Sequence, residues 1–255
     1  MWSATRHQKI LAILNKQQQI TTDGLAEEFN VSRETIRRDL LLLESEGSID
    51  RIHGGAILSK TINEQPFLKR VNSHQKEKRS IAKLAMQLIQ PNQSIFLDAG
   101  TTTTIFAAEL RKLPELLIVT NSIDVATTLQ SAGSKSKLIL LGGQLISDVP
   151  GTFGELTMAE IGRFNVDMAF LSPVSVNAKQ GAAYFELHEA ELARAMANNA
   201  KKLVIMADHG KLGEVSRVKC KDCTEIDLLI TGAAAEEPII RDLQAAGLKS
   251  VQLAK

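Results

Sequence analysis

Apolar residues recur in two rhythms along this chain. Over the first sixty residues the spacing is helical. Ile10, Leu11, Ile13 and Leu14 cluster across residues 5–15, Leu25, Ala26 and Phe29 follow Thr21 and Thr22, and Ile36, Leu40 and Leu43 fall at i, i+4 and i+7. Each group predicts a helix with one packed side, and the polar run KQQQ separates the first helix from the second. Thr21 or Thr22 can cap the second helix, Asn30 can end it in the left-handed conformation, and Ser32 can cap the third. After Gly47 the segment SIDRIHGGAIL alternates as a hairpin does, with Gly54 and Gly55 at its turn. From residue 76 onward the rhythm changes. Helical segments at 81–89, 101–110 and 122–130 alternate with short apolar runs at 94–98, 116–120, 137–143, 167–171, 202–207, 227–231 and 250–253. Helices alternating with continuous apolar strands predict an α/β fold whose mostly parallel sheet is covered on both faces, with ligands gathered at the carboxyl ends of its strands. Residues 59–75 are polar, contain Pro66 and keep no period, so they read as a linker on which Phe67 and Val71 could dock. The predicted organisation is a small winged helix-turn-helix over residues 1–58, a linker over 59–75 and a doubly wound α/β domain over 76–255.

Composition narrows the function classes. With 255 residues, 44% of them apolar, the chain can bury a large core in one or two domains. Its formal charge of +1 announces no nucleic-acid partner, and residues 1–60 balance eight Lys or Arg against eight Asp or Glu. Any DNA footprint must come from a local patch. Two cysteines, no apolar run long enough for a bilayer and no signal-like start lead us to expect a reducing cytoplasmic setting and no membrane partner. Aromatic residues at 4% offer few stacking platforms for single-stranded bases. Cys220 and Cys223 form a lone C-x-x-C to which His209 adds no usual spacing, so we expect reduced thiols, no bound metal and no cofactor.

Two stretches carry chemistry. The third helix hides Ile36, Leu40 and Leu43 and offers Ser32, Arg33, Thr35, Arg37 and Arg38, a set suited to the major groove, where arginine can fork onto a guanine edge or hold phosphate. The hairpin would act as a wing that brings Arg51 and His53 near a backbone or minor groove. The plainer alternative is a helical module with solvated arginines. In AGTTTT, Gly100 allows close approach, Thr101, Thr102 and Thr103 supply hydroxyls, and the following helix presents free amides, which together fit an anion such as phosphate. No Gly-Lys-Ser or Gly-Lys-Thr closes the loop and no GxGxxG precedes it. The plainer reading of this stretch is a capped turn without a ligand.

The run from VSRETIRRDL through LLLESEGSIDRIHGGA resembles the signature of the DeoR family of bacterial transcriptional regulators, with its TIRRDL core and R-x-HGGA wing. The resemblance implies double-stranded operator DNA as partner, usually with repression. It places Ser32, Arg33, Thr35, Arg37 and Arg38 on the recognition helix and Arg51, His53, Gly54 and Gly55 on the wing. Thinner matches continue at Asp98-Ala99-Gly100-Thr101-Thr102, Thr120-Asn121-Ser122, Leu141-Gly142-Gly143 and Asp208-His209-Gly210-Lys211, the last with Gly210 where the family has serine. The second half is also similar to ribose-5-phosphate isomerase, which implies a phosphorylated sugar or polyol as effector. In that reading Thr101, Thr102 and Thr103 take the phosphate, Lys211 adds a cation, and Asp98 and Asp208 accept sugar hydroxyls or orient Lys211. Thr120, Asn121 and Gly142 would line the same strand ends. Lys69, Arg70, Lys76, Lys78 and Arg79 are either solvated linker charge or, by the resemblance, basic residues near the effector pocket.

The rival class is a phosphosugar isomerase carrying an accessory DNA-binding module. The isomerases draw aspartates from a D-G-A-D turn, whereas this chain has AFLSPVSVN, with Leu171 and Val174 near those positions. Glu189 and Glu191 lie near the isomerases' catalytic glutamate but read as exposed helix charge. The expectation is therefore a regulator and not an enzyme. A single reader offers little surface, so a homodimer or homotetramer on paired half-sites is expected.

Overall fold

The helical rhythm of the first sixty residues becomes α1 (Ser3–Gln17), α2 (Thr22–Phe29) and α3 (Arg33–Ser45) in the computed structural model. The structure describes residues 3–17, 19–45, 49–52, 54–58, 66–113, 115–131 and 135–255, and the chain divides into two compact units, Met1–Gln65 and Pro66–Lys255. Caps fix the helix ends. The Thr21 hydroxyl accepts the Gly24 amide at 3.1 Å, Asn30 is left-handed at φ 50°, and the Ser32 hydroxyl accepts the Thr35 amide at 3.1 Å. Ile10, Leu14, Ile36, Leu40, Leu43 and Ile49 are buried together. Within this core Arg6 donates two hydrogen bonds to the Asp39 carboxylate, at 2.5 and 2.9 Å. The hairpin forms as β2 (Ile49–Ile52) and β3 (Gly55–Leu58), paired antiparallel. The polar break after α1 contains a further strand, β1 (Gln19–Thr21), which pairs with β3 and buries only Ile20. One buried side chain in three leaves too little alternation for the pattern to reveal it.

The second unit begins earlier than expected. Of the predicted linker, Phe67–Asn72 is a helix, α4, in which Phe67 is buried and donates its amide to Asp148 at 2.8 Å. Then follow α5 (Gln75–Met86), β4 (Ser94–Leu97), α6 (Thr101–Leu110), β5 (Leu117–Thr120), α7 (Ile123–Ser131), β6 (Lys137–Leu140), α8 (Glu155–Ile161) and β7 (Val166–Leu171). Next come β8 (Ser175–Asn177), β9 (Gly181–Tyr184), α9 (Leu187–Asn198), β10 (Ala200–Met206), β11 (Val218–Lys221), β12 (Leu228–Gly232), α10 (Glu237–Ala245) and β13 (Val251–Ala254). Seven strands form a parallel sheet in the order β13-β12-β10-β7-β4-β5-β6. Alternate residues of each strand feed two cores. Ile95, Leu97, Met168 and Phe170 meet α5, α6 and α7, while Phe96, Ala169, Leu171 and Ile205 meet α9 and α10. The winding reverses between neighbouring β4 and β7, and in such sheets the crevice outside the strand ends at the reversal is where ligands bind. No described helix is long and apolar enough to cross a membrane.

A small antiparallel sheet, β11-β9-β8, was not legible in the sequence. Its strands are short, and GAAY carries no alternation; the turn before it depends on Gly181, at φ 67°, where a Cβ would lie 2.1 Å from the Lys221 carbonyl oxygen.

Candidate functional site

On the first unit, α3 turns its apolar stripe into the core and leaves Arg33, Arg37 and Arg38 exposed. Arg33 pairs with Asp23 at 2.8 Å and Arg38 with Glu34 at 3.4 Å, whereas Arg37 has no ion-pair partner among the described residues. Ser32 and Thr35 share a hydroxyl contact of 2.8 Å at the helix start. Arg51 on the hairpin stands 3.6 Å from Glu44. The two wing glycines differ. Gly54 is exposed at φ 79° with open space around it, while Gly55 is buried and a Cβ there would lie 2.0 Å from the Ile20 carbonyl oxygen. Gly55 thus serves β1–β3 pairing. His53 lies outside the described residues.

On the second unit, the strand ends at the β4/β7 reversal bring Asp98, Gly100, Ser172 and Lys211 together. Asp98 is 3% exposed; its Oδ2 accepts the Ser172 amide at 2.8 Å and the Tyr184 hydroxyl at 2.7 Å, and its buried Oδ1 has no hydrogen-bond partner among the described residues. Burial pushes this carboxyl above its usual range, against the pull of Tyr184, the Ser172 amide and the Lys211 charge. Burial likewise holds the Tyr184 hydroxyl well above its ordinary value, reinforced by Asp98. Lys211 donates to the Pro173 carbonyl at 2.7 Å and to the Ser172 hydroxyl at 3.2 Å. Asp208 is buried beside it, and its carbonyl accepts the Lys211 amide at 3.0 Å.

Helix α6 starts between these groups and β5. Gly100 holds its N-cap position in extended backbone with no side-chain cap, so the amides of the first turn have no acceptor from within the helix. Thr102 is fully buried, and its hydroxyl has no hydrogen-bond partner among the described residues. The Thr103 hydroxyl, by contrast, is committed to the Asp98 and Gly100 carbonyls at 2.9 Å each. Thr101 is buried at the same turn. On the β5 side Asn121 donates to the Thr152 carbonyl at 3.1 Å, and its buried Oδ1 has no partner among the described residues. A Cβ at Gly151 would fall 2.8 Å from Ala99 and 3.2 Å from Asn121, so the 151–152 backbone walls this edge. Thr120 is spent on the Leu97 carbonyl and the Ser122 amide, and the Gly142 amide on Glu160 at 2.7 Å. Of the predicted residues, Asp98, Thr102 and Asn121 keep open buried oxygens, whereas Thr103, Thr120 and Gly142 have structural partners.

The match to known families agrees with this division of the chain. Residues 6–62 match the DeoR-like helix-turn-helix domain and residues 73–233 the DeoR C terminal sensor domain. The chain belongs to the DeoR family. It is 34% identical over 249 residues to the HTH-type transcriptional regulator GolR of Listeria innocua, covering 97% of this chain and 98% of that one. It is 33% identical over 233 residues to the glycerol-3-phosphate regulon repressor of Escherichia coli, covering 91% and 92%. The HTH-type transcriptional repressor GlcR of Bacillus subtilis is 34% identical over 233 residues, covering 91% and 89%. Among solved structures, ribose 5-phosphate isomerase A from Methanocaldococcus jannaschii aligns over 55% of each chain at 18% identity with a TM-score of 0.40. This DeoR-family protein is a transcriptional regulator.

Other groups of the DeoR sensor domain take places that the sequence motifs do not single out. Ser172 and Tyr184 hold Asp98, yet neither belongs to a charged or glycine-rich motif. Lys78, read as linker or pocket charge, is 1% exposed and donates to the Arg70 carbonyl at 2.6 Å; burial, with Lys211 nearby, lowers its pKa to about 8. Glu189, read as exposed helix charge, is buried and accepts the Ser147 hydroxyl at 3.2 Å. Leu171 packs in the core. His188 stacks edge-on against Phe153, and burial lowers its pKa. Cys220 and Cys223 are free and buried, and burial pushes the Cys220 thiol up to about 12.

Proposed function

We propose that this regulator represses an operon of sugar or polyol metabolism and that a phosphorylated sugar or polyol, bound at the β4/β7 reversal, changes its operator affinity. The observation that carries the reading is the uncapped start of α6, set beside the Lys211 ammonium and flanked by the buried, unpartnered oxygens of Asp98, Thr102 and Asn121. Helix-start amides and an ammonium recognise phosphate, and acceptors recognise hydroxyls; a phosphorylated polyol offers both. The name of the glycerol-3-phosphate regulon repressor supports a ligand of this class. In this assignment Thr101, Thr102 and the α6 amides meet the phosphate with Lys211, while Asp98, Asn121 and Asp208 face the hydroxyls. Arg33, Arg37 and Arg38 enter the major groove, with Arg51 on the flanking backbone, and two or four copies engage paired half-sites. Effector and operator are coupled by linkage: a ligand that prefers one state of the sensor shifts the reader's affinity by the same free energy. A thermal-shift screen of phosphorylated sugars and polyols on the full chain, followed by operator gel shifts with the best stabiliser, tests it. Thr102→Val and Lys211→Gln should each lower the response at least about tenfold while operator binding without effector persists. An unchanged response in both variants would place the pocket elsewhere.

A further inference from the structure

We propose that His74, Glu77 and His209 form a binding site for a divalent transition-metal ion of the Zn2+ class. Their ligand atoms lie within 4.8 Å of one another. Glu77 is the centre of the group: its Oε2 is 2.7 Å from His209 Nδ1 and 3.6 Å from His74 Nδ1. The two rings stand edge-to-face with centroids 4.8 Å apart. Tetrahedral zinc, with bonds of about 2.0–2.1 Å, holds its ligand atoms roughly 3.3 Å apart. The two separations to Glu77 bracket that value, and the remaining closure falls to His74, the most exposed of the three.

The carboxylate is held in advance. Its Oε1 accepts the His209 amide at 2.8 Å, and a Cβ on Gly232 would lie 2.1 Å from the same oxygen, so the end of β12 walls it in. His74 stands at the N-cap position of α5, yet its side chain makes no cap hydrogen bond, and its backbone is left-handed at φ 50°, a conformation strained for a residue with a Cβ. The ring reaches Glu77 and His209 instead. The side chains of His74, Glu77 and His209 are 41%, 14% and 37% exposed, which leaves a solvent side for ion entry and for a water as fourth ligand. Two imidazoles and one carboxylate favour Zn2+, Co2+, Ni2+ or Cu2+ over Mg2+ or Ca2+, which take oxygen ligands. The ion would tie the start of α5 to the loop after β10 across 132 residues of chain. This site does not depend on the identity of the effector.

The test uses the full chain stripped with EDTA, titrated calorimetrically with Zn2+ and spectroscopically with Co2+. One Zn2+ per chain, a raised melting temperature and the visible absorption of four-coordinate Co2+ are expected. His209→Gln and His74→Asn, the latter chosen because asparagine tolerates the left-handed backbone, should each weaken Zn2+ at least about tenfold while melting like the parent in EDTA. Cys220→Ser with Cys223→Ser should leave binding unchanged. A parent chain that binds no Zn2+, or binding retained by both histidine variants or lost in the cysteine variant, overturns the assignment.

Discussion

Removing the Asp39 carboxylate should disable the DNA reader while sparing the sensor. Asp39 lies on α3, and its partner Arg6 lies on α1; they are 5% and 7% exposed, and the guanidinium donates from Nε and one terminal nitrogen to separate carboxylate oxygens. His7 Nε2 stands 2.8 Å from Oδ1. Asp39→Ala removes both carboxylate hydrogen bonds from a buried guanidinium, a change that costs about 2 kcal/mol or more. The whole stability of a unit this size is of the order of 3–10 kcal/mol, so the loss consumes a large share of it. Replacing both partners, as Arg6→Met with Asp39→Leu, should recover most of the stability, because an apolar pair removes the desolvation cost along with the attraction. Hydrogen exchange of α1, α2 and α3 amides in the full chain reads the local stability, and an operator gel shift reads the consequence. Burial by itself would raise the Asp39 carboxyl, but hydrogen bonds from Arg6 and His7 outweigh it and leave the pKa below its ordinary 3.8. The pair's contribution is therefore present above about pH 4 and fades as pH falls through the lowered value, and Asp39→Ala should lose that acid dependence. Unchanged α3 protection in Asp39→Ala, with operator affinity within twofold of the parent, would refute the reasoning.

Arg37→Ala should weaken operator binding more than tenfold at fixed salt, about 1.4 kcal/mol or more, since Arg37 has no acidic partner to leave among the described residues; gel shifts measure it. Arg33→Ala should cost less, because Arg33 must first give up Asp23. Gly55→Ala should destabilise the first unit by about 2 kcal/mol or more by driving β1 from β3, read as lost hydrogen-exchange protection in both strands. In the second unit the Lys201 contact, with the Ser94 amide and hydroxyl, holds the Asp167 carboxyl down at about 2. Its contribution is present above about pH 4 and lost as pH falls toward 2, so Asp167→Asn should flatten thermal stability over that window; Lys201 is exposed, so the effect should not exceed about 1 kcal/mol.

The reader was legible because its signals are local. Thr21, Asn30 and Ser32 act within three or four residues of themselves, and the Ile36, Leu40, Leu43 stripe needs only the helical period. The parallel strands were legible as apolar runs, but not the order that sets β4 beside β7, which follows from pairing across 73 residues, as between Ser94 and Asp167. For the same reason the motifs after β4, β5 and β6 located the candidate pocket without separating open groups from occupied ones. Thr102 and Thr103 are neighbours of one residue type, yet one hydroxyl is unpartnered and the other is committed to two carbonyls. Glu189 reads as exposed, and Lys78 stays open between two readings, because charge predicts exposure unless distant backbone and side chains supply partners, and those partners are set by the fold.

The Asp98–Ser172 hydrogen bond joins the ends of β4 and β7, neighbours in the sheet that lie 74 residues apart along the chain, and Lys211 arrives later still. A ribosome-bound fragment that stops short of residue 211 could already contain α6 and its threonines, but it would lack the ammonium, and one that stops before 172 would lack the partner that fixes Asp98. The Asp98, Ser172 and Lys211 arrangement is therefore assembled only in chains translated past residue 211.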